Sequence, residues 1–489
     1  MSNPFTSIDF LSILPETILI VMGMVVVVIE LFGTGRDTRN LAYLALLSLA
    51  TAALADVFLL GRNLEGFFGS VAADDFSIAF ELIILLATAL TVLLSVGYLE
   101  DRDMHHGEYY SLLLFAATGA MFLVSGMDLL IIFIGLEILS ISSYILCGMI
   151  QHDPRSNESA LKYFLLGAFS TGFLLYGIAL LYGATGSIHL RAIRAAFEQP
   201  DAFANPYFAF GLGFILVGFG FKIALVPFHM WTPDVYEGAP TTITAFLSTG
   251  PKAAGFAALI RILFEGMAPA QAEWSQVLWL LAAVTMTVGN VVALQQDNIK
   301  RMLAYSSIAH AGYILVALVA GGAEGLAAVV FYTLAYTLMT FGAFGVLILA
   351  SDKERERVTF ADYAGYAYLS PVLAAAMFLF MLSLAGIPLT AGFAGKFQIF
   401  KTVIERGFYW LAVIGVLNSV VSLYYYLRLV VVMYMQPATA QSIDRPAQPS
   451  VPLYLAIAAA FFGVLYLGIF PSEWIELSLR SVSTLVAGG

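Results

Sequence analysis

Four side chains that normally carry charge interrupt long apolar runs in this sequence. Glu137 lies in MDLLIIFIGLEILSISSYILCGM, Lys222 in GFGFKIALVPFHMW, Lys252 in AFLSTGPKAAG and Lys396 in IPLTAGFAGKF. A fifth residue, His310, is central in KRMLAYSSIAHAGYIL, with Ser306 and Ser307 one turn before it. Ionisable groups inside apolar sequence are expensive and mark routes for ions or protons. Histidine titrates near neutrality and can hand a proton on. A lysine and a carboxylate that meet stabilise each other's charge, and separating them makes the lysine a better proton donor. One pKa unit is about 1.36 kcal/mol. Moving a charge against roughly 100 mV takes about 2.3 kcal/mol. Shifts of a few units therefore match the work of moving a proton across an energised membrane.

Other groups have simpler readings. Lys401, nearer a helix end, can carry its ammonium to the interface. His229 lies just beyond Pro227 and is placed to line the gap that proline leaves. Cys147, the methionines and the 38 phenylalanines read as packing or lipid-facing residues.

The elements that position these groups are membrane helices. The 489 residues are 60% hydrophobic and only 11% charged, with mean hydropathy +0.89. That composition belongs to an all-α polytopic membrane protein. About fourteen apolar segments lie near 12–32, 40–60, 76–99, 109–125, 127–149, 158–184, 206–231, 240–264, 274–295, 299–320, 325–350, 370–405, 408–434 and 452–470. Glu137 is then roughly 15 Å into the fifth span, near the midplane. Pro227 should break the seventh span and Pro388 the twelfth, because proline removes a backbone donor and clashes with the preceding turn. Freed backbone from Pro388 to Gly395 calls for a hydrated cavity. Two broken helices five spans apart point to inverted five-helix repeats, spans 4–8 and 9–13, with a transport site between them. The chain then divides into spans 1–3 (1–108), a first repeat (109–265), a second repeat (274–434), and a last span with its tail (435–489).

Loop charge gives an orientation. One side carries Arg36, Arg39, Arg102, Arg155, Lys162, Lys300, Arg301, Lys353, Arg355, Arg357, Arg428 and Arg445; the other carries Arg62, Arg191, Arg194, Arg261, Arg406 and Arg480. The positive-inside rule makes the first set cytoplasmic and places both termini on the periplasmic side. Several functions are excluded. One cysteine cannot form an internal disulfide or a four-cysteine iron–sulfur or zinc site. The glycines of GLGFILVGFGF lie in an apolar helix, where they serve packing rather than phosphate binding. No basic block addresses nucleic acid. The N-terminus lacks the basic region of a signal peptide, and its first apolar run is long enough to span.

Three stretches carry a resemblance: FKIALVPFHMWTPDVYEGAPTTITAFLSTGPKAA, DNIKRMLAYSSIAHAGYIL and LSLAGIPLTAGFAGKF. They are similar to the antiporter-like membrane subunits of bacterial respiratory complex I, the proton-translocating NADH–quinone oxidoreductase. The VYEGAPT and AFLSTGPK strings resemble its subunit N family in particular, and the likeness covers nearly the whole chain. The resemblance implies that Glu137 and Lys222 form a coupling ion pair. It also implies that Lys252 is the central relay lysine, Lys396 the lysine nearest the exit, and His310 a polar residue of the connecting axis. It implies the inverted repeats and a bacterial inner-membrane location. Neighbouring antiporter-like and small membrane subunits are the expected partners. NADH, FMN, iron–sulfur clusters and quinone are expected in other subunits, with no redox cofactor in this chain. The alternative is a free-standing or hydrogenase-associated cation/proton antiporter subunit, from which the VYEGAPT segment discriminates.

Overall fold

Runs of about twenty apolar residues have one low-energy solution in a bilayer, since a helix satisfies every backbone donor and acceptor internally. The computed structural model of the chain follows that rule and describes residues 6–32, 38–102, 106–199, 202, 205–351, 356–438 and 450–487. A short α1 (Ser7–Ser12) precedes α2 (Leu14–Phe32) and α3 (Arg39–Leu59). A two-stranded antiparallel hairpin, β1 (Leu64–Gly66) and β2 (Val71–Ala73), pairs Leu64 with Ala73. Then come α4 (Asp75–Asp101), α5 (Glu108–Ser125), α6 (Leu129–Cys147), α7 (Pro154–Thr185) and a short α8 (Leu190–Phe197). The next group is α9 (Pro206–Lys222), α10 (Thr232–Gly238), α11 (Thr241–Arg261), α12 (Gln271–Ala293), α13 (Ile299–Ala320) and α14 (Gly322–Ala350). The chain continues through α15 (Tyr366–Leu369), α16 (Pro371–Ala385), α17 (Ala391–Glu405), α18 (Tyr409–Met435), α19 (Val451–Ile469) and α20 (Pro471–Ala487).

Among the described residues, twelve helices are long and apolar enough to cross a membrane, and α9 and α16 are shorter apolar helices. Local sequence sets many of the starts. Asp74 and Ser77 form a capping box at α4, Pro154 opens α7 behind the Asp153 cap, and Asn298 accepts from Lys300 N and Arg301 N at α13. α11, α13 and α14 are almost wholly enclosed, whereas α2, α7, α18 and α19 turn large apolar side chains outward. The ionisable residues of α11 and α13 thus sit in the innermost layer. The hairpin, α8 and α20 are elements the apolar pattern did not announce; α20 folds back on α4 and α14.

Both expected interruptions are present, the first displaced. α9 stops at Lys222, five residues before Pro227. It ends because Ala224 is left-handed (φ 60°), while Ala224 N bonds Phe221 O and Leu225 N bonds Gly220 O. That is a Schellman termination, and it acts upstream of the proline. The second break lies where Pro388 predicts, between Ala385 and Ala391. It uses the same termination, with Gly386 left-handed and Ile387 N bonded to Leu382 O.

Loop charges cluster as the count requires. Arg102 and Lys300 share Glu356, and Lys162 and Arg301 share Asp234. Arg261, counted with the opposite set as a loop charge, is instead fully buried at the end of α11 and paired with Asp74. Arg36, Lys353, Arg355 and Arg445 lie outside the described residues.

Candidate functional site

Lys222 is the last residue of α9 and is 3% exposed. Its ammonium donates to Ser140 Oγ at 3.0 Å and lies 6.0 Å from the centre of the Tyr163 ring. Ser140 stands three residues after Glu137 on α6, on the same helix face. Glu137 is half-buried, its Oε1 has no hydrogen-bond partner, and its charge acts on Lys222. Among the described residues the two make no direct ion pair; Ser140 holds the ammonium instead. The expected ion pair is thus not formed here; the lysine rests on the hydroxyl one turn from Glu137.

The break after α9 builds an aromatic wall. Trp231 stacks on Tyr163 at 4.5 Å and an interplanar angle of 12°, and its Nε1 donates at 3.0 Å to the Phe221 carbonyl, which also accepts from Ala224 N. Tyr236 of α10 meets Trp231 edge-on at 6.2 Å. Lys252 lies 6.0 Å from the Tyr236 ring centre. The two lysines thus face the two ends of one aromatic stack. They also share a backbone seam: a Cβ on Gly255, three residues after Lys252, would meet Ile223 Cγ2 at 2.6 Å and Lys222 Cγ at 3.5 Å. His229 is half-buried at the break with Nδ1 unpartnered, as its position beside Pro227 predicts.

Lys252 is 4% exposed and reaches α13, donating to Ser307 Oγ at 2.5 Å and Ser307 O at 3.1 Å. The neighbouring Ser306 hydroxyl bonds the Tyr426 hydroxyl, which bonds His310 Nε2 at 3.0 Å. His310 Nδ1 bonds the Tyr332 hydroxyl at 2.7 Å. His310 is 1% exposed and feels the charges of both Lys252 and Lys396. Three residues on, Tyr313 lies edge-on to His310, and Lys396 sits over its ring at 4.7 Å. Positions 306/307, 310 and 313 recur at helical spacing, so one face of α13 links Lys252 to Lys396.

Lys396 turns back across the second break. Its ammonium donates to Leu384 O, Ala385 O and Ser419 Oγ, each at 3.1 Å. It thereby caps the last carbonyls of α16, where a cation also complements the helix dipole. Gly392 makes this approach possible, since a Cβ there would lie 1.8 Å from Ser383 O. A cavity of about 680 Å³ opens beside Lys396, bordered by Gly386, Phe393, Phe400, Ser419 and Leu423. Its walls are mostly apolar, and of the stretch from Pro388 to Gly395 only Phe393 borders it. Lys401, half-exposed, pairs with Glu405 on the wall of the same cavity.

On the face bearing Arg102, Arg155 and Lys300, a polar cavity of about 470 Å³ is lined by Asp153, Glu237, Asn298 and Glu356. Lys300 donates to Ala239 O at 2.8 Å and Glu356 at 3.2 Å; Glu356 also accepts from Tyr98 and Thr241. Burial opposes charge on the Glu356 carboxyl. Lys300, Arg102 and the two hydroxyls outweigh it and hold its pKa at about 2.

All five predicted residues are thus set along one buried line in the order Glu137, Lys222, Lys252, His310 and Lys396. Sequence reading missed Ser140, Tyr163, Trp231, Tyr236, Tyr332, Tyr426, Tyr313 and Ser419. Only Tyr313 carried a signal, through its helical spacing from His310.

A multi-pass helical protein with a buried line of lysines, hydroxyls and a histidine fits the antiporter-like class of membrane subunits. Comparison agrees: residues 126–422 match the family described as NADH:quinone oxidoreductase/Mrp antiporter, TM. The chain is 48% identical to NADH-quinone oxidoreductase subunit N of Trichlorobacter lovleyi, with 98% of each chain covered. It is similar to a chain of respiratory complex I from Thermus thermophilus with bound aureothin, at 37% identity and TM-score 0.81, covering 95% of this chain and 99% of that one. It also shares the fold of a chain in the Mrp complex from Dietzia sp., at 20% identity and TM-score 0.85, covering 99% and 98%. The chain belongs to the NADH-quinone oxidoreductase subunit N family.

Proposed function

We propose that this membrane subunit of NADH–quinone oxidoreductase moves protons along the line from Glu137 to Lys396. The observation that carries the reading is the set of contacts Lys252–Ser307, Ser306–Tyr426–His310, His310–Tyr313 and Tyr313–Lys396, which lines one helix face between two buried lysines. Lys222 is the switch. Resting on Ser140, it is one side chain from Glu137; movement onto the carboxylate would stabilise its charge, and movement away would favour proton release. The polar cavity at Glu356 is the entry, and Thr241, Thr244 and Ser248, spaced three or four residues apart, lead from it along α11 to Lys252. The cavity beside Lys396 is the exit.

In this reading α9–α10 and α16–α17 each make one broken span, giving fourteen spans. α5–α11 and α12–α18 are the inverted repeats (109–265 and 274–434), flanked by residues 1–108 and 435–489. Extensive packing of α5 on α6 and of α12 on α13 supports the correspondence. Both termini face the periplasm, a reading supported by the shared ion pairs of the basic face. NADH, FMN, iron–sulfur clusters and quinone act in partner subunits. The antiporter alternative is less favoured, because the Mrp likeness is one of fold while subunit N relatives match in sequence from end to end.

The test is Lys252→Ala in the assembled complex reconstituted into vesicles. Proton uptake per electron should fall severalfold while the complex assembles. A normal ratio at normal turnover would refute the relay.

A further inference from the structure

The lysine relay leaves three buried carboxyls of the first helices unused. Glu16 is in the first turn of α2, Asp56 lies three residues from the end of α3, and Glu81 is in the second turn of α4. Because successive helices run in opposite directions, these positions come together at one end of the bundle. They are 1%, 0% and 3% exposed. The Asp56 and Glu81 carboxyls meet at hydrogen-bonding range, and the charge of Glu16 acts on both. Two ionised carboxylates have no donor between them, so that contact is favourable only if a proton lies in it.

The surroundings supply no substitute. Among the described residues no donor serves either Asp56 oxygen or Glu16 Oε2; what lies in range of Asp56 is a second acceptor, Glu81. From α5, the Ser125 hydroxyl reaches Glu16 at 3.4 Å. From α4 itself, Asp74 adds a further negative charge towards Glu81. From α11, Arg261 is the cation of this region, but it is committed to Asp74 at 2.8 and 3.0 Å and to Val124 O at 2.9 Å. Three unpaired carboxylates packed in low dielectric would each lose their hydration and repel one another.

We propose that Glu16, Asp56 and Glu81 form a proton-binding site, a carboxylic acid–carboxylate cluster separate from the lysine line. It holds at least one exchangeable proton at neutral pH, shared between Asp56 and Glu81. Its occupancy sets the charge beside the Asp74–Arg261 pair, which anchors the end of the helix carrying Lys252.

Infrared difference spectra of the whole complex across a pH titration test this. The expected result is a protonated-carboxyl carbonyl band at neutral pH that shifts in deuterium oxide and is lost in Asp56→Asn and Glu81→Gln. Retention of that band in both variants overturns the site. Its appearance only after sodium removal also overturns it, in favour of an alkali-cation site. A second measurement needs no substitution: dicyclohexylcarbodiimide, which attacks protonated buried carboxyls, should label one of the three residues in the native complex, with labelling that falls as pH rises. Absence of labelling at every pH counts against the proposal even where the variants fail to assemble.

Discussion

The two broken helices end in the same backbone motif yet use their lysines in opposite ways. At the first break the lysine is the last residue of the helix and points away to Ser140, while the Trp231 indole adds a second donor to the Phe221 carbonyl. The segment is clamped on the loop side by Lys300 on Ala239 O and by Glu356 on Thr241. At the second break the lysine comes after the gap and caps α16 itself. A lysine that holds no structure is free to move between a hydroxyl and a carboxylate. A lysine that closes a helix end is fixed beside its cavity. On the path proposed above, the difference suits Lys222 to switching and Lys396 to delivery.

The clamp of the first break gives the largest expected effect. Glu356 has a folded pKa of about 2 against an unfolded value of about 4.3. Its folded value is depressed, so its stabilisation is present above the unfolded pKa and is lost as pH falls through the folded one. Glu356→Gln should lower the stability of the complex at pH 7 by about 2–4 kcal/mol. The gap from the unsubstituted complex should narrow as pH drops from about 5 towards 2. Thermal melts at several pH values read both; a gap that does not change with pH would mean the carboxylate is not held this way.

Lys396→Met should cost about 2 kcal/mol by leaving the buried Leu384 carbonyl without its donor and Ala385 O with only Ser419, while Lys222→Met should cost under about 1 kcal/mol. Both should impair pumping severalfold. Equal melting losses would erase the contrast between the breaks.

A smaller effect tests the shared termination. Ala224 holds a left-handed conformation that costs a residue with a Cβ roughly 1 kcal/mol. Ala224→Gly should therefore leave stability unchanged or raise it slightly. Gly386→Ala, where a Cβ would press on Lys396 Cδ at 2.9 Å, should destabilise by about 1–2 kcal/mol. Opposite signs from chemically opposite substitutions are the expected outcome.

The smallest effect concerns Glu137 and Lys222. Removing either should impair proton-coupled quinone reduction, and the double variant should be non-additive by about 0.5–1 kcal/mol in stability. Strict additivity would place the two outside one another's reach.

Much of the fold was legible because a bilayer admits few solutions to apolar length. Apolar length marks the membrane helices, Pro388 the second break, and charge inside apolar runs the five candidate path residues. The first break was misplaced because a left-handed alanine, which sequence does not advertise, ends α9 before the proline acts. The partners were illegible for a different reason. Ser140 reaches Lys222 across 82 residues and Ser307 reaches Lys252 across 55, and nothing local marks either serine as a ligand. The carboxyls of Glu16, Asp56 and Glu81 were passed over because acids near span ends read as loop charge until packing buries them.

The central claim is that protons cross between the two breaks through α13. His310→Gln tests it most directly, because glutamine can still bond Tyr332 and Tyr426 but cannot titrate. Protons translocated per electron would be measured in vesicles containing the assembled complex. The account predicts a severalfold fall in that ratio with the melting temperature nearly unchanged. A normal ratio with histidine absent would contradict it.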